Sequence, residues 1–369
     1  MPLGFWLFYD PLTMLAVTVA YLAGFVVLQV LASRVAPVVA ARVSGRLGLY
    51  TAMLLTAGLI VVGGGLAIYG VYYAAASAGF RFPLAWMAGF VAAANFVTYL
   101  LSPWMIRLAY RGREDPRLQR LVDEAAARAG MKPPRALLVE GPPNAFAFGN
   151  FLAGRYVAVT RSLYEMLPED ELAAVIGHEL GHHRHRDVVV IMLLGLVPSI
   201  LYYMGVSLLR AGLWGAAGDR EERGGAAYLA ALGLVAVVLS FIMQVVVMAF
   251  SRLREYYADA HGAYVAGKRP MQRALARIHL YYARAPQALN RVESSSLKAL
   301  FIYALVEAAA SPFYSGGWGG VPGSSDIDLW VERLKHAEVD PVQELLSDHP
   351  PIPKRLRFLD RVEAEVHRP

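Results

Sequence analysis

Long stretches of this chain carry no charge at all, and polar residues return in bursts between them. Five uncharged, strongly apolar intervals stand out, at 11–33, 47–80, 82–106, 188–209 and 224–251. A helix crosses a bilayer in about 20 residues at 1.5 Å each, so every one of these intervals is long enough to span it. A buried helix of a soluble core would also be apolar, but five runs of this length in one chain predict five transmembrane helices. No basic residue precedes the first run between Met1 and Asp10, and no small-residue cleavage site follows it. It therefore reads as a retained span rather than a signal peptide.

The polar remainder falls into two pieces, residues 107–187 and 252–369. Each follows a span of odd number, so both emerge on the same side of the membrane and can join in one domain of about 200 residues, an ordinary size for a single core. The expected organisation is three N-terminal spans over 11–110, a first soluble segment over 111–187, two spans over 188–251 and a second soluble segment over 252–369. In "DPRLQRLVDEAAARAG" (115–130) Leu118, Leu121, Val122 and Ala125 recur at helical spacing, and Gly130 predicts the stop. The short runs 135–140, 144–149 and 155–160 alternate like strands and are parted by turn residues, which predicts a small meander. A helix then opens after Pro168, with Glu169, Asp170 and Glu171 at the positive end of its dipole. The second segment reads as mainly helical, apart from a Gly, Ser and Pro-rich loop at 311–325.

Composition agrees with a membrane protein: 57% of residues are hydrophobic and only 17% charged. The formal charge of +6 is mostly arginine. Arg107, Arg111, Arg113, Arg117, Arg252 and Arg254 gather beside helix ends, where anionic headgroups account for them and nucleic acid does not. Arginines in the 34–46 loop and after the third span place the soluble segments in the cytoplasm of a multi-pass cell-membrane protein. The pattern carries no signal for oligomeric state. With no cysteine in the chain, a metal site here must be built from His, Asp or Glu.

Four of the nine histidines crowd into "VIGHELGHHRHRD" (175–187). On a helix His178 and His182 lie one turn apart on one face, close enough to bind one ion. Glu179, about 100° round the turn, is placed to take a proton from water on the metal as a general base. His185 is too far along the helix to share that ion; with His183 it reads as a solvated or headgroup-facing helix end. Gly177 and Gly181 weaken a helix and call for close backbone packing. The third ligand of a catalytic zinc is sought in "SRLREYYADA" (251–260): Glu255 can complete the set, and Asp259, one turn on, can orient a ligating imidazole.

These pieces, together with "NAFAFG" (144–149) and "HPPIPKRLRFL" (349–359), resemble the membrane-embedded zinc metallopeptidases that include the HtpX-like heat-shock proteases and, more distantly, the Ste-type CAAX prenyl proteases. The resemblance covers most of the soluble part. It departs from the HtpX pattern in showing three spans before the motif instead of two. It implies a polytopic α-helical membrane protein with a mainly α, zincin-like (gluzincin) metalloprotease domain and a small β-sheet. One zinc ion per chain would be held by His178, His182 and Glu255, with Glu179 as base and Asp259 behind a ligand. Protein substrates in or near the bilayer follow, and so does a role in membrane protein quality control.

A prenyl protease and a catalytically silent metal-binding scaffold are the alternatives. Glu179 argues against the scaffold, because a structural site has no use for a base beside its ligand. A metal transporter would place ionisable groups within its spans, and these spans have none. Two further expectations concern substrate. Asn144, Ala145, Phe146 and Ala147 are expected in an exposed edge strand that binds an extended peptide. His349 is expected to donate to the oxyanion, and Arg355 to grip substrate carbonyls.

Overall fold

The structure, a computed structural model, describes residues 11–24, 45–81, 83–215, 220–284, 326–339, 344 and 349–366. In chain order come α1 (Pro11–Gly24), α2 (Gly45–Gly58), a π-helical turn (Leu59–Gly63), α3 (Gly64–Ser77), α4 (Leu84–Tyr110) and α5 (Pro116–Arg128). Strands β1 (Arg135–Val139), β2 (Ala145–Asn150) and β3 (Gly154–Thr160) follow, then α6 (Arg161–Met166) and α7 (Glu169–His185). The remaining described elements are helices: α8 (Asp187–Gly215), α9 (Arg220–Ala266), α10 (Lys268–Arg284), α11 (Ile327–Lys335) and α12 (Ile352–Val366).

Among the described residues four helices are long and apolar enough to cross a membrane: Leu49–Ser77, Leu84–Tyr110, Asp187–Trp214 and Gly224–Ala266. The expected first span at 11–33 is described only over α1; the rest of it, like the loop expected at 311–325, lies outside the described residues. The molecule is thus a polytopic α-helical membrane protein with a small three-stranded sheet.

The chain folds as two compact units. The first takes the described residues of Met1–Ser44, Tyr50–Asn95 and Leu193–Phe250. Within it α8 and α9 touch backbone to backbone at glycines: a Cβ on Gly212 would lie 2.4 Å from the nitrogen of Ala230. Small residues allow such an approach, which serves helix packing in lipid.

The second unit takes the described residues of Phe96–Met192 and Ser251–Pro369, with Gly45–Leu49. Asp115 caps α5 through Leu118 N–H at 2.8 Å, and the predicted face (Leu118, Val122, Ala125) enters the core with Leu163, Ile176, Leu275 and Leu356. The sheet is not a meander. Its order is β1-β3-β2, with β1 parallel and β2 antiparallel to β3. β3 takes the centre because Tyr156–Thr160 is buried along its whole length, while Pro142 and Pro143 deny β1 and β2 the short hairpin that would pair them. Among the described residues β2 consequently has one free edge.

Candidate active site

Helix α7 begins after Pro168, with its three acids in the first turn, and ends where Arg186 adopts a left-handed conformation (φ 54°). Its Gly177 and Gly181 lie against α9: added Cβ atoms would sit 3.1 Å from the Cα of Gly262 and 3.1 Å from the Cα of Ala258, respectively. Two small residues at i, i+4 on one helix thus interlock with two at i, i+4 on the other. The same spacing separates His178 from His182 and Glu255 from Asp259, so this contact brings the two polar pairs face to face.

His178 Nε2 and His182 Nε2 stand 3.2 Å apart. Glu255 reaches both, with Oε2 3.6 Å from the first and Oε1 3.4 Å from the second. Each imidazole is held from behind. His178 Nδ1 meets Asp259 Oδ1 at 3.0 Å, and His182 Nδ1 meets Asp187 Oδ2 at 2.7 Å. Each aspartate is in turn gripped by a buried arginine: Arg355 forks onto Asp259, with Nε to Oδ2 at 2.8 Å, and Arg254 Nη2 lies 2.8 Å from Asp187 Oδ2. Burial works against a charge on His182, but the bond to Asp187 and the charge of Glu255 outweigh it and raise its pKa to about 9.

Glu179 is 1% exposed, and its Oε1 has no hydrogen-bond partner among the described residues. It opens onto a cleft of about 50 Å³, together with His182, Asp187, Arg254, Glu255, His349 and the β2 segment Ala145–Gly149; Ser102 and Ile106 of α4 and Val188 complete the wall. His349 is buried beside the carboxylate of Glu255, Nδ1 to Oε2 at 3.3 Å. The free edge of β2 therefore borders the same cleft as the histidines.

Four expectations need correction. Arg355 does not grip substrate: it is fully buried and spent on Asp259, with Nη1 3.7 Å from Glu255 Oε2. Asn144 lies outside the cleft wall, its N–H donating to Thr160 Oγ1 and its carbonyl accepting from Thr160 N–H. That bond fixes the alternation of the ladder, so Phe146 also turns its main chain to β3, and the outward N–H groups belong to Ala145 and Ala147. The strand is not exposed along its length as expected, since Ala145 and Phe146 are buried and only Ala147 and Gly149 are half-buried. Arg254, read as a headgroup contact, is 4% exposed. His183, read as solvated, is half-buried and donates to Tyr156 O at 2.8 Å; burial lowers its pKa to about 4 despite that bond. His185 does stay exposed.

Asp187 and Arg254 are the site residues that sequence reasoning passed over. Asp187 follows His182 by five positions, which on an unbroken helix would aim it about 140° away. The left-handed turn at Arg186 re-aims it. The aspartate that closes the histidine motif was the available signal.

Residues 112–363 match peptidase family M48. The Protease HtpX homolog of Archaeoglobus fulgidus is 45% identical over 357 residues, covering 97% of this chain and 98% of the relative. That of Pyrobaculum calidifontis is 49% identical over 344 residues, covering 93% and 96%. The crystal structure of S. mikatae Ste24p aligns with a TM-score of 0.47 and 18% identity, over 84% of this chain and 67% of that one. The family match spans the histidine motif, the end of α9 that carries Glu255 and Asp259, and most of the cleft wall, and the relatives are similar over nearly their whole length: this chain belongs to peptidase family M48, among its HtpX-like members, and is a membrane metalloprotease.

Proposed function

We propose that the chain is a zinc-dependent integral-membrane endopeptidase that cuts membrane or misfolded proteins, with its protease half in the cytoplasm. The observation that carries this is the convergence of His178, His182 and Glu255 beside a cleft that His182 and Glu255 line together with Glu179 and a free strand edge. With both Nδ1 atoms bound to carboxylates, the two Nε2 atoms face each other at 3.2 Å, so that a shared cation can take the place of the proton between them. Ligand separations of 3.2, 3.4 and 3.6 Å match the edge of a zinc tetrahedron, about 3.3 Å for bonds of about 2.0–2.1 Å. Two imidazoles and a carboxylate, with no thiolate in the chain, are the donor set of a catalytic zinc. When bound, zinc supplies Lewis acidity, polarising a peptide carbonyl and acidifying water.

The chain's own groups do the rest. Glu179, buried and uncommitted at Oε1, takes the proton from the attacking water and returns it to the leaving amine. The outward N–H and C=O groups of Ala147, half-buried on the free edge, pair with an extended substrate, holding the scissile bond across the cleft. His349 donates to the oxygen on which negative charge develops. Backbone pairing favours segments that are unfolded and extended, the state of a damaged protein, which supports a role in quality control.

The test is metal analysis of detergent-purified protein beside cleavage of an unfolded membrane protein. Glu179→Gln keeps one zinc per chain and loses cleavage, whereas His178→Ala, His182→Ala or Glu255→Ala loses both. Full activity in Glu179→Gln, or tightly held zinc in Glu255→Ala, overturns the assignment.

A further inference from the structure

Pro103 stands inside α4 and has no N–H, so the carbonyl of Tyr99, one turn earlier, is deprived of its helical donor. Ser102 Oγ turns back to it at 3.0 Å, and the other partner comes from the sheet. Asn150 Nδ2 donates to Tyr99 O at 3.0 Å and to Leu100 O at 2.9 Å. Its Oδ1 accepts from the N–H groups of Leu152 and Ala153 at 3.0 and 2.8 Å. A single amide, with all four of its valences met, closes the β2–β3 turn and clamps it to the helix.

What the clamp holds there is apolar. Phe151 and Leu152, at the tip of the turn, are 70% and 60% exposed, and the ring of Phe151 lies 6.4 Å from that of Tyr99. The adjoining surface of α4 is apolar and exposed too, with Val97, Leu101 and Trp104 each about half exposed. A membrane helix exposes such residues to lipid. Leu100 precedes the end of the apolar interval at residue 106 by about 9 Å of helix, and the first charge after it is Arg107. The turn is therefore fixed on the lipid side of the boundary that the arginines mark.

We propose that the β2–β3 turn is a membrane-inserted finger: Phe151 and Leu152 lie in the hydrocarbon of the bilayer, and the free edge of β2 begins at lipid depth. Ser102 and Ile106, from the last turns of the same apolar interval, line the cleft, so the edge runs from lipid to the catalytic groups without crossing water. Resting on the proposed use of that edge, the substrate class follows: polypeptide segments leaving the bilayer in extended form, paired to β2 as they emerge.

The chain has no cysteine, so Leu152→Cys in the Glu179→Gln chain accepts one nitroxide. In vesicles of phosphatidylcholine and phosphatidylglycerol, collision with oxygen should exceed collision with a water-soluble nickel chelate several-fold. A label at Leu101 sets the lipid reference, and one at Leu329, an exposed apolar residue of α11, sets the water reference; Phe151→Cys is the second reporter. Behaviour like Leu329, or shielding from both quenchers as a protein partner would give, overturns the finger. Phe151→Asp with Leu152→Asp should slow cleavage of a membrane-anchored substrate several-fold and spare a soluble unfolded peptide. Equal effects on both overturn the substrate class while the depth result stands; a wild type that cuts neither overturns the peptidase reading instead.

Discussion

His182 turns its Nδ1 to Asp187 at 2.7 Å, and the oxygen that receives it, Oδ2, also receives Arg254 at 2.8 Å. This chain of His, Asp and Arg parallels the one formed by His178, Asp259 and Arg355. The first lines the cleft, whereas the second is sealed in the core. A carboxylate behind a ligating imidazole fixes its tautomer and ring plane and strengthens it as a ligand. Asp187→Asn should therefore weaken zinc binding by about 10- to 100-fold, read by competition with a chromogenic chelator. Unchanged affinity would reduce Asp187 to the first residue of α8.

Proline distinguishes the two sets of main-chain groups on β2. Ala147→Pro removes an outward donor and leaves the β3 ladder whole, so KM for an extended peptide rises or turnover disappears while zinc content stays full. Phe146→Pro removes a ladder donor and lowers thermal stability instead. Normal kinetics in Ala147→Pro would exclude substrate pairing on this edge.

His349→Ala should lower turnover at saturating substrate by about tenfold or more, with zinc retained, because a donor aimed at developing charge is worth a few kcal/mol. Since Nδ1 of His349 lies 3.3 Å from Glu255, metal content must be measured on the same sample. Loss of zinc would make His349 a support for the ligand and no partner of the oxyanion.

His279 of α10 is 2% exposed, its Nδ1 has no hydrogen-bond partner among the described residues, and burial lowers its pKa from 6.5 to about 4. Between these values the unfolded chain takes up a proton that the folded chain refuses. Stability therefore falls as pH drops from 6.5 to about 4, by about 3 kcal/mol in all, and levels off below. In detergent, His279→Leu should show a shallower loss of Tm over that range. Parallel curves for the two proteins would refute the assignment.

Local periodicity made much of the site legible. His178 and His182, like Glu255 and Asp259, are i, i+4 pairs that any helix presents on one face, and the apolar intervals announced the spans. Which pair meets which was written only in Gly177 and Gly181, visible as glycines a helix should avoid and explained once Ala258 and Gly262 lay opposite. Arg355 was misread as a grip on substrate carbonyls because nothing local to its segment says that the assembled domain carries the guanidinium of α12 into the core onto Asp259. The order of the sheet depends on which strand is most buried, a property of the assembled domain and of no single segment.

The contact of Gly177 and Gly181 with Ala258 and Gly262 also bears on biogenesis. The helix with both histidines leaves the ribosome before α8 and α9 exist, and by itself it offers two ligands and a base but no third donor. Glu255 arrives only when α9 has been made and its small residues have seated against α7. On the proposed ligand set, a nascent chain that stops short of α9 carries the histidine motif without its third donor and should show no hydrolysis.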